Sequence, residues 1–187
     1  MLNRENAYQL LTKYNKNQAL ITHALAVESV MKYFARKNNE DENYWGSIGL
    51  IHDLDYELYP DQHCHKSKEI LEEEGISDDI IHAVVSHGWN LCYDVKPEKK
   101  MEKVLYTIDE LTGLVNATVL MRPDKSIMDL EVKSVKKKFK SKGFASGVNR
   151  EVIIKGCEMI DMELDEVILW TIEGMKESAE ALGLKGE

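Results

Sequence analysis

Ile48-Gly49-Leu50-Ile51-His52-Asp53-Leu54-Asp55 places a histidine and an aspartate side by side at the end of an apolar run. The run closes a helix that starts near Asp41 or Glu42, residue types suited to a helix N-terminus. An imidazole nitrogen and a carboxylate oxygen adjacent in sequence reach one divalent cation if the backbone bends between them, and both are common ligands of first-row metals. The fold question is whether other segments bring further ligands to that corner.

Helical periodicity runs outward in both directions, and no alternating strand pattern competes with it. Upstream, Ala7, Leu10, Leu11 and Tyr14 stripe a short first helix. A second helix spans about Asn17 to Arg36, with Leu20, Ala24, Val27, Met31 and Phe34 facing inward. His23 lies three residues after Leu20 and four before Val27, so it shares that face. Downstream, Asp55 to Pro60 reads as a loop, and a helix through Ile70 and Leu71 stops at Gly75. Ser77-Asp78-Asp79 caps the next helix, whose stripe is Ile80, Val84 and His87, with His82 on the opposite side. Val104, Ile108, Leu111 and Val115 define a further helix carrying Asp109 beside its apolar face. Pro123-Asp124-Lys125 is a turn, and Val132, Val135 and Phe139 form the inner edge of a basic helix. Two scaffold helices, about Asn149 to Ile160 and Leu164 to Leu182, complete an all-α bundle. We expect one domain over 1–187, with a metal-binding core in 1–120 and the basic segment and last helices (121–187) packed on it.

At 187 residues and 43% hydrophobic, the chain can build one buried core without disulfides. Its cysteines (Cys64, Cys92, Cys157) are odd in number and show no CxxC pairing, a pattern that suits a reducing compartment. Asn3, Arg4 and Glu5 at the start give neither a signal peptide nor a membrane span, so the expected location is cytoplasmic. A net charge of −9 argues against nucleic-acid binding by the surface as a whole.

The helices therefore offer His23, His52-Asp53, His87 and Asp109 to one interior, with His65 at the start of another helix as a further candidate. A buried histidine is ordinarily a satisfied core residue. A buried unpaired carboxylate is different, because it requires a cation or several donors. Asp53 and Asp109 both have that requirement, and one divalent metal would meet it for both.

A histidine, then His-Asp, then a distant aspartate on an all-α background resembles the HD-domain metal-dependent phosphohydrolases, here through His23, His52, Asp53 and Asp109. His65 and His87 sit where two-metal members of that superfamily place two additional histidines. The run from Lys133 to Arg150, with Asp109-Glu110-Leu111-Thr112-Gly113, is similar to a bacterial subgroup of predicted hydrolases, and the similarity extends over nearly the whole chain. The resemblance implies one or two divalent transition ions (Fe, Mn, Co, Ni or Zn), with Asp53 bridging a pair. It also implies attack by metal-activated hydroxide on a small phosphate ester such as a nucleotide. The mixed imidazole and carboxylate donors suit these metals better than Mg or Ca.

Asp55 and Glu57 follow the His-Asp pair closely, and either is placed to orient a histidine or to take a proton from the attacking water. Arg122, Lys133, Lys136, Lys137 and Arg150 are candidates for attracting the substrate phosphate, the bland alternative being a solvated helix face. Lys136 and Lys137 cannot both face one way on a helix. Phe139 and Phe144 are too few to stack single-stranded bases. The same scaffold implies two rivals: a di-iron oxygenase, and a non-catalytic nucleotide-sensing module that keeps the metal for structure. Oxygen consumption would mark the first, and tight binding without turnover the second.

Overall fold

The computed structural model describes residues 2–186. Its helices are α1 (Arg4–Tyr14), α2 (Gln18–Lys37), α3 (Glu42–Ile51), α4 (His65–Glu73), α5 (Asp78–Val85), α6 (Lys100–Leu120), α7 (Val132–Lys140), α8 (Arg150–Ile160) and α9 (Leu164–Glu177). Among the described residues no β-strand forms, in agreement with the all-α expectation. No helix among them is long and apolar enough to cross a membrane.

Side-chain caps set several helix starts. Asn3, Asn17, Asp41 and Asn149 each accept backbone N–H groups from the first turn of α1, α2, α3 and α8, which stabilises each start by about 1 kcal/mol. The last helix ends at Glu177, short of the expected Leu182. There the Ser178 hydroxyl pairs with Ser29 of α2, and the chain turns back so that Leu182 and Leu184 bury against the bundle.

α2 is the central element and packs along α3, α6 and α9. Its Ala24, Val27, Val30, Met31 and Phe34 are all buried. Gly49 allows α3 to lie directly on it: a Cβ there would stand 3.2 Å from the backbone N and Cα of Glu28. That close approach carries the end of α3, with His52 and Asp53, against the turn of α2 that bears His23. α6 crosses the same interior and is buried for most of its length from Met101 to Val119. α8, α7 and α9 cover its outer side. Each buried Leu or Ile in these contacts contributes about 1.5–3 kcal/mol relative to exposure.

Candidate metal centre

The site gathers where α3 ends, where α2 and α6 cross, and where the chain leaves α5. His52 is fully buried, and its Nδ1–H donates to the Gly49 carbonyl at 2.7 Å. That bond fixes the tautomer, so Nε2 presents a lone pair. The Nε2 atom lies 3.3 Å from Asp53 Oδ2 and 3.3 Å from Asp109 Oδ1, yet makes no hydrogen bond. A bare imidazole nitrogen facing two carboxylate oxygens sets lone pairs against lone pairs, and a cation among them resolves the conflict. His23 completes the set, with Nε2 2.9 Å from Asp109 Oδ1 and 3.8 Å from Asp53 Oδ2. Donor atoms about 2.1 Å from a shared ion lie roughly 3.0–3.4 Å apart, and apart from the wider His23–Asp53 separation the spacings here fall within about 0.1 Å of that range. The residues present fit a transition metal.

A second group of donors repeats the device. His87, in the turn after α5, donates Nδ1–H to the Val84 carbonyl, and His63 donates Nδ1–H to Asp55 Oδ1 at 2.7 Å. Their Nε2 atoms stand 3.1 Å apart, each 3.3 Å from Asp53 Oδ1. Asp53 therefore divides its oxygens, Oδ2 toward His23 and His52 and Oδ1 toward His63 and His87. Cys64 and Cys92 lie beside this group with sulfurs 3.6 Å apart. The hydrogen bond between them raises the Cys64 thiol and lowers Cys92 to about 6.

The electrostatics follow from burial opposed by neighbouring charge. Burial disfavours a charged His52, but Asp53 and Asp109 outweigh it and raise the imidazole well above its ordinary range. Burial would raise Asp53, and His52 and His87 reverse this and hold it well below the usual carboxylate range. Asp109 is lowered in the same way, chiefly by His52 and then His23. For His63, burial is overcome by the Asp55 hydrogen bond and then Asp53, giving about 9.

Several expectations need correcting. His65, proposed as a ligand, is exposed and sits edge-on to Tyr93 at 4.6 Å, and the residue that reaches Asp53 is His63. The cause is Cys64, whose φ of 66° swings the chain so that its two neighbours point apart. Asp55 is fully buried with both oxygens engaged, Oδ1 by His63 and Oδ2 by the Ser67 N–H at 2.8 Å. It orients a histidine and, fully buried, does not line the cleft where the attacking water would stand. Glu57 accepts the Lys16 and Asn17 N–H groups at 2.7 and 2.8 Å, supporting the entry to α2 outside the site. His82 pairs with buried Glu102 at 3.0 Å.

The cleft over the ligands, about 510 Å³, includes no lysine or arginine in its wall among the described residues. Arg122 pairs with Asp129 and Asp124 beyond the end of α6, more than about 16 Å along the helix from Asp109 at ~1.5 Å per residue. Lys133 pairs with Glu131, Lys136 with Asp165, and Lys137 is exposed. Arg150 donates to the carbonyls of Phe139, Ser141, Phe144, Ala145 and Val148. Its guanidinium thus fixes the loop whose Gly147–Asn149 stretch lines the cleft.

Sequence reasoning passed over Glu110 and Tyr56. Glu110 lines the cleft, accepts the Asn149 N–H at 2.9 Å, and is raised by burial and then by Asp109. Tyr56 also lines it and meets the His63 ring edge-on at 5.2 Å. Adjacency to Asp109 was the one signal that could have found Glu110.

A family model of the HD domain matches residues 20–137, a span that includes every ligand-bearing residue described above. No curated protein and no solved structure matches the chain.

Proposed function

Given that the chain belongs to the HD-domain family, we propose that it is a metal-dependent phosphohydrolase acting on a small phosphate ester. The observation that carries this reading is the buried, unpartnered His52 Nε2 facing Asp53 and Asp109. His23, His52, Asp53 and Asp109 would hold one ion, and His63, His87 and the other oxygen of Asp53 a second. When bound, such ions supply an activated water near neutral pH and offset charge on phosphoryl oxygens. Hydrolysis forms a P–O bond to the oxygen of water, breaks the ester P–O bond, and leaves a proton on the departing alcohol.

The protein's own groups prepare the site. The Gly49 and Val84 carbonyls and Asp55 hold His52, His87 and His63 in the tautomer that presents Nε2. Glu110 and Arg150 fix the loop at the mouth. Among the described residues no lysine or arginine lines the cleft wall, which leaves the phosphate's charge to the metal centre.

The test is a panel of nucleotides, cyclic dinucleotides and simple phosphate esters presented to metal-loaded protein. Release of phosphate from at least one, abolished by His52→Ala, supports the reading. No release from any, with oxygen consumption or none, sinks it.

A further inference from the structure

A second cavity, about 220 Å³, opens between α2, α6 and the turn after α9, and His23 forms part of its wall as well as of the metal-ligand cleft. From Asp109 the α6 stripe continues through Thr112 and Asn116, and from His23 the α2 stripe runs back through Ala19. The two stripes line one groove that begins beside His23. Asn116 lies about 10 Å along it from Asp109 at ~1.5 Å per residue. Ala26, Leu120, Leu182 and Leu184 make much of the wall apolar, and His23 is its one ionisable side chain among the described residues.

Thr112 is the independent observation. Thr107, Thr118 and Thr171 are buried helical threonines, and each donates its hydroxyl to the carbonyl four residues back, at 2.6, 2.8 and 2.8 Å. Thr112 is equally buried, yet its Oγ1 has no partner. A buried hydroxyl left this way is unfavourable unless something that binds there completes it. The Asn116 amide, half-buried one helical turn further on, offers a donor and an acceptor beside it.

We propose that this groove is the subsite for the organic part of the ester. It takes an uncharged, single-ring alcohol with flat apolar faces, whose polar edge meets Thr112 and Asn116. The proposal rests on the hydrolase reading above. The volume sets the size of the group: about 220 Å³ is below the roughly 300–1,000 Å³ typical of sites for drug-sized ligands. One ring fits it, and a dinucleotide does not.

The first measurement is saturation-transfer NMR with benzyl alcohol on protein freed of metal, for wild type, Thr112→Val and Ala19→Phe. Ala19 is exposed on α2, so its replacement fills the groove without entering the core. We expect transfer to benzyl alcohol from wild type and none from Ala19→Phe. Thr112→Val should bind roughly three- to tenfold more weakly while melting at the same temperature or higher, whereas a hydroxyl that hydrogen-bonds within the fold would make the variant melt lower. In metal-loaded protein, Ala19→Phe should lower kcat/KM for phenyl phosphate relative to glycerol phosphate at least tenfold. Ring binding with no ester hydrolysed by wild type removes the hydrolase reading and leaves the groove as a ring site. Hydrolysis whose ester preference is unmoved by Ala19→Phe, or the absence of any transfer to benzyl alcohol, overturns the groove and leaves the hydrolase reading intact.

Discussion

Replacing Asp55 by Asn keeps the shape of a fully buried side chain and changes its hydrogen-bond inventory. The carboxylate now accepts two donors, His63 Nδ1–H at 2.7 Å and the Ser67 N–H at 2.8 Å. An amide has one oxygen to offer, so one of these N–H groups must face an NH₂. Losing a hydrogen bond to a buried charged group costs about 1.5–3 kcal/mol. For a chain of this length that corresponds to a fall of about 3–12 °C in the melting temperature of metal-free protein. His63 is held at about 9 against the opposing effect of burial, chiefly by Asp55 and then by Asp53, so NMR titration should find it moved down in Asp55→Asn. With its tautomer no longer fixed, affinity for the second ion should drop about 10- to 100-fold, read by titration calorimetry, while the ion held by His23, His52 and Asp109 remains. If Asp55→Asn takes up both ions as tightly as wild type and His63 still titrates near 9, the role given to Asp55 is wrong.

The pH dependence of the metal-free protein has a definite sign. His63 titrates at about 9 in the fold against 6.5 unfolded, so its contribution is complete below pH 6.5 and is lost as pH rises through 9. At most it amounts to about 3 kcal/mol, measured as a fall in denaturant midpoint between pH 6.5 and 9. Metal requires the neutral ring, so calorimetry should show affinity rising and protons released across the same window. Gly49→Ala places a Cβ 3.2 Å from the Glu28 backbone and should cost about 1–3 kcal/mol. It should weaken metal binding as well, because the Gly49 carbonyl orients His52. Arg150→Met should lower stability by about 2 kcal/mol with metal content unchanged. A guanidinium that bound substrate phosphate would instead raise KM and leave stability alone.

The ligands on regular helices could be read from sequence because the helical period fixes which way a side chain points. His23 follows the α2 stripe and Asp109 flanks the α6 stripe, while His52-Asp53 ends an apolar run that had to be buried. His87 kept the direction of the α5 stripe although it lies in the turn just past that helix. His63 gave no sign of being a ligand in the sequence, because it precedes the positive φ of Cys64, a backbone bend that no periodicity encodes. Asp55 and Glu57 were equivalent as loop carboxylates, and long-range partners separate them: Ser67 and His63 for one, the start of α2 for the other. The lysines misled for a related reason. A run of charge in sequence does not say which acid lies opposite, and Asp165 opposite Lys136 comes from a different helix. Arg150 satisfies carbonyls of a loop that has no sequence pattern of its own, so its role became legible with the fold.

The most direct test is elemental analysis of protein prepared without chelators, alongside His63→Ala and Asp53→Ala. With an imidazole pair on each oxygen of Asp53, wild type should carry close to two transition-metal ions per chain, His63→Ala about one, and Asp53→Ala almost none. Folded wild-type protein carrying no transition metal even after loading, or an Asp53→Ala variant with undiminished metal, would contradict the account.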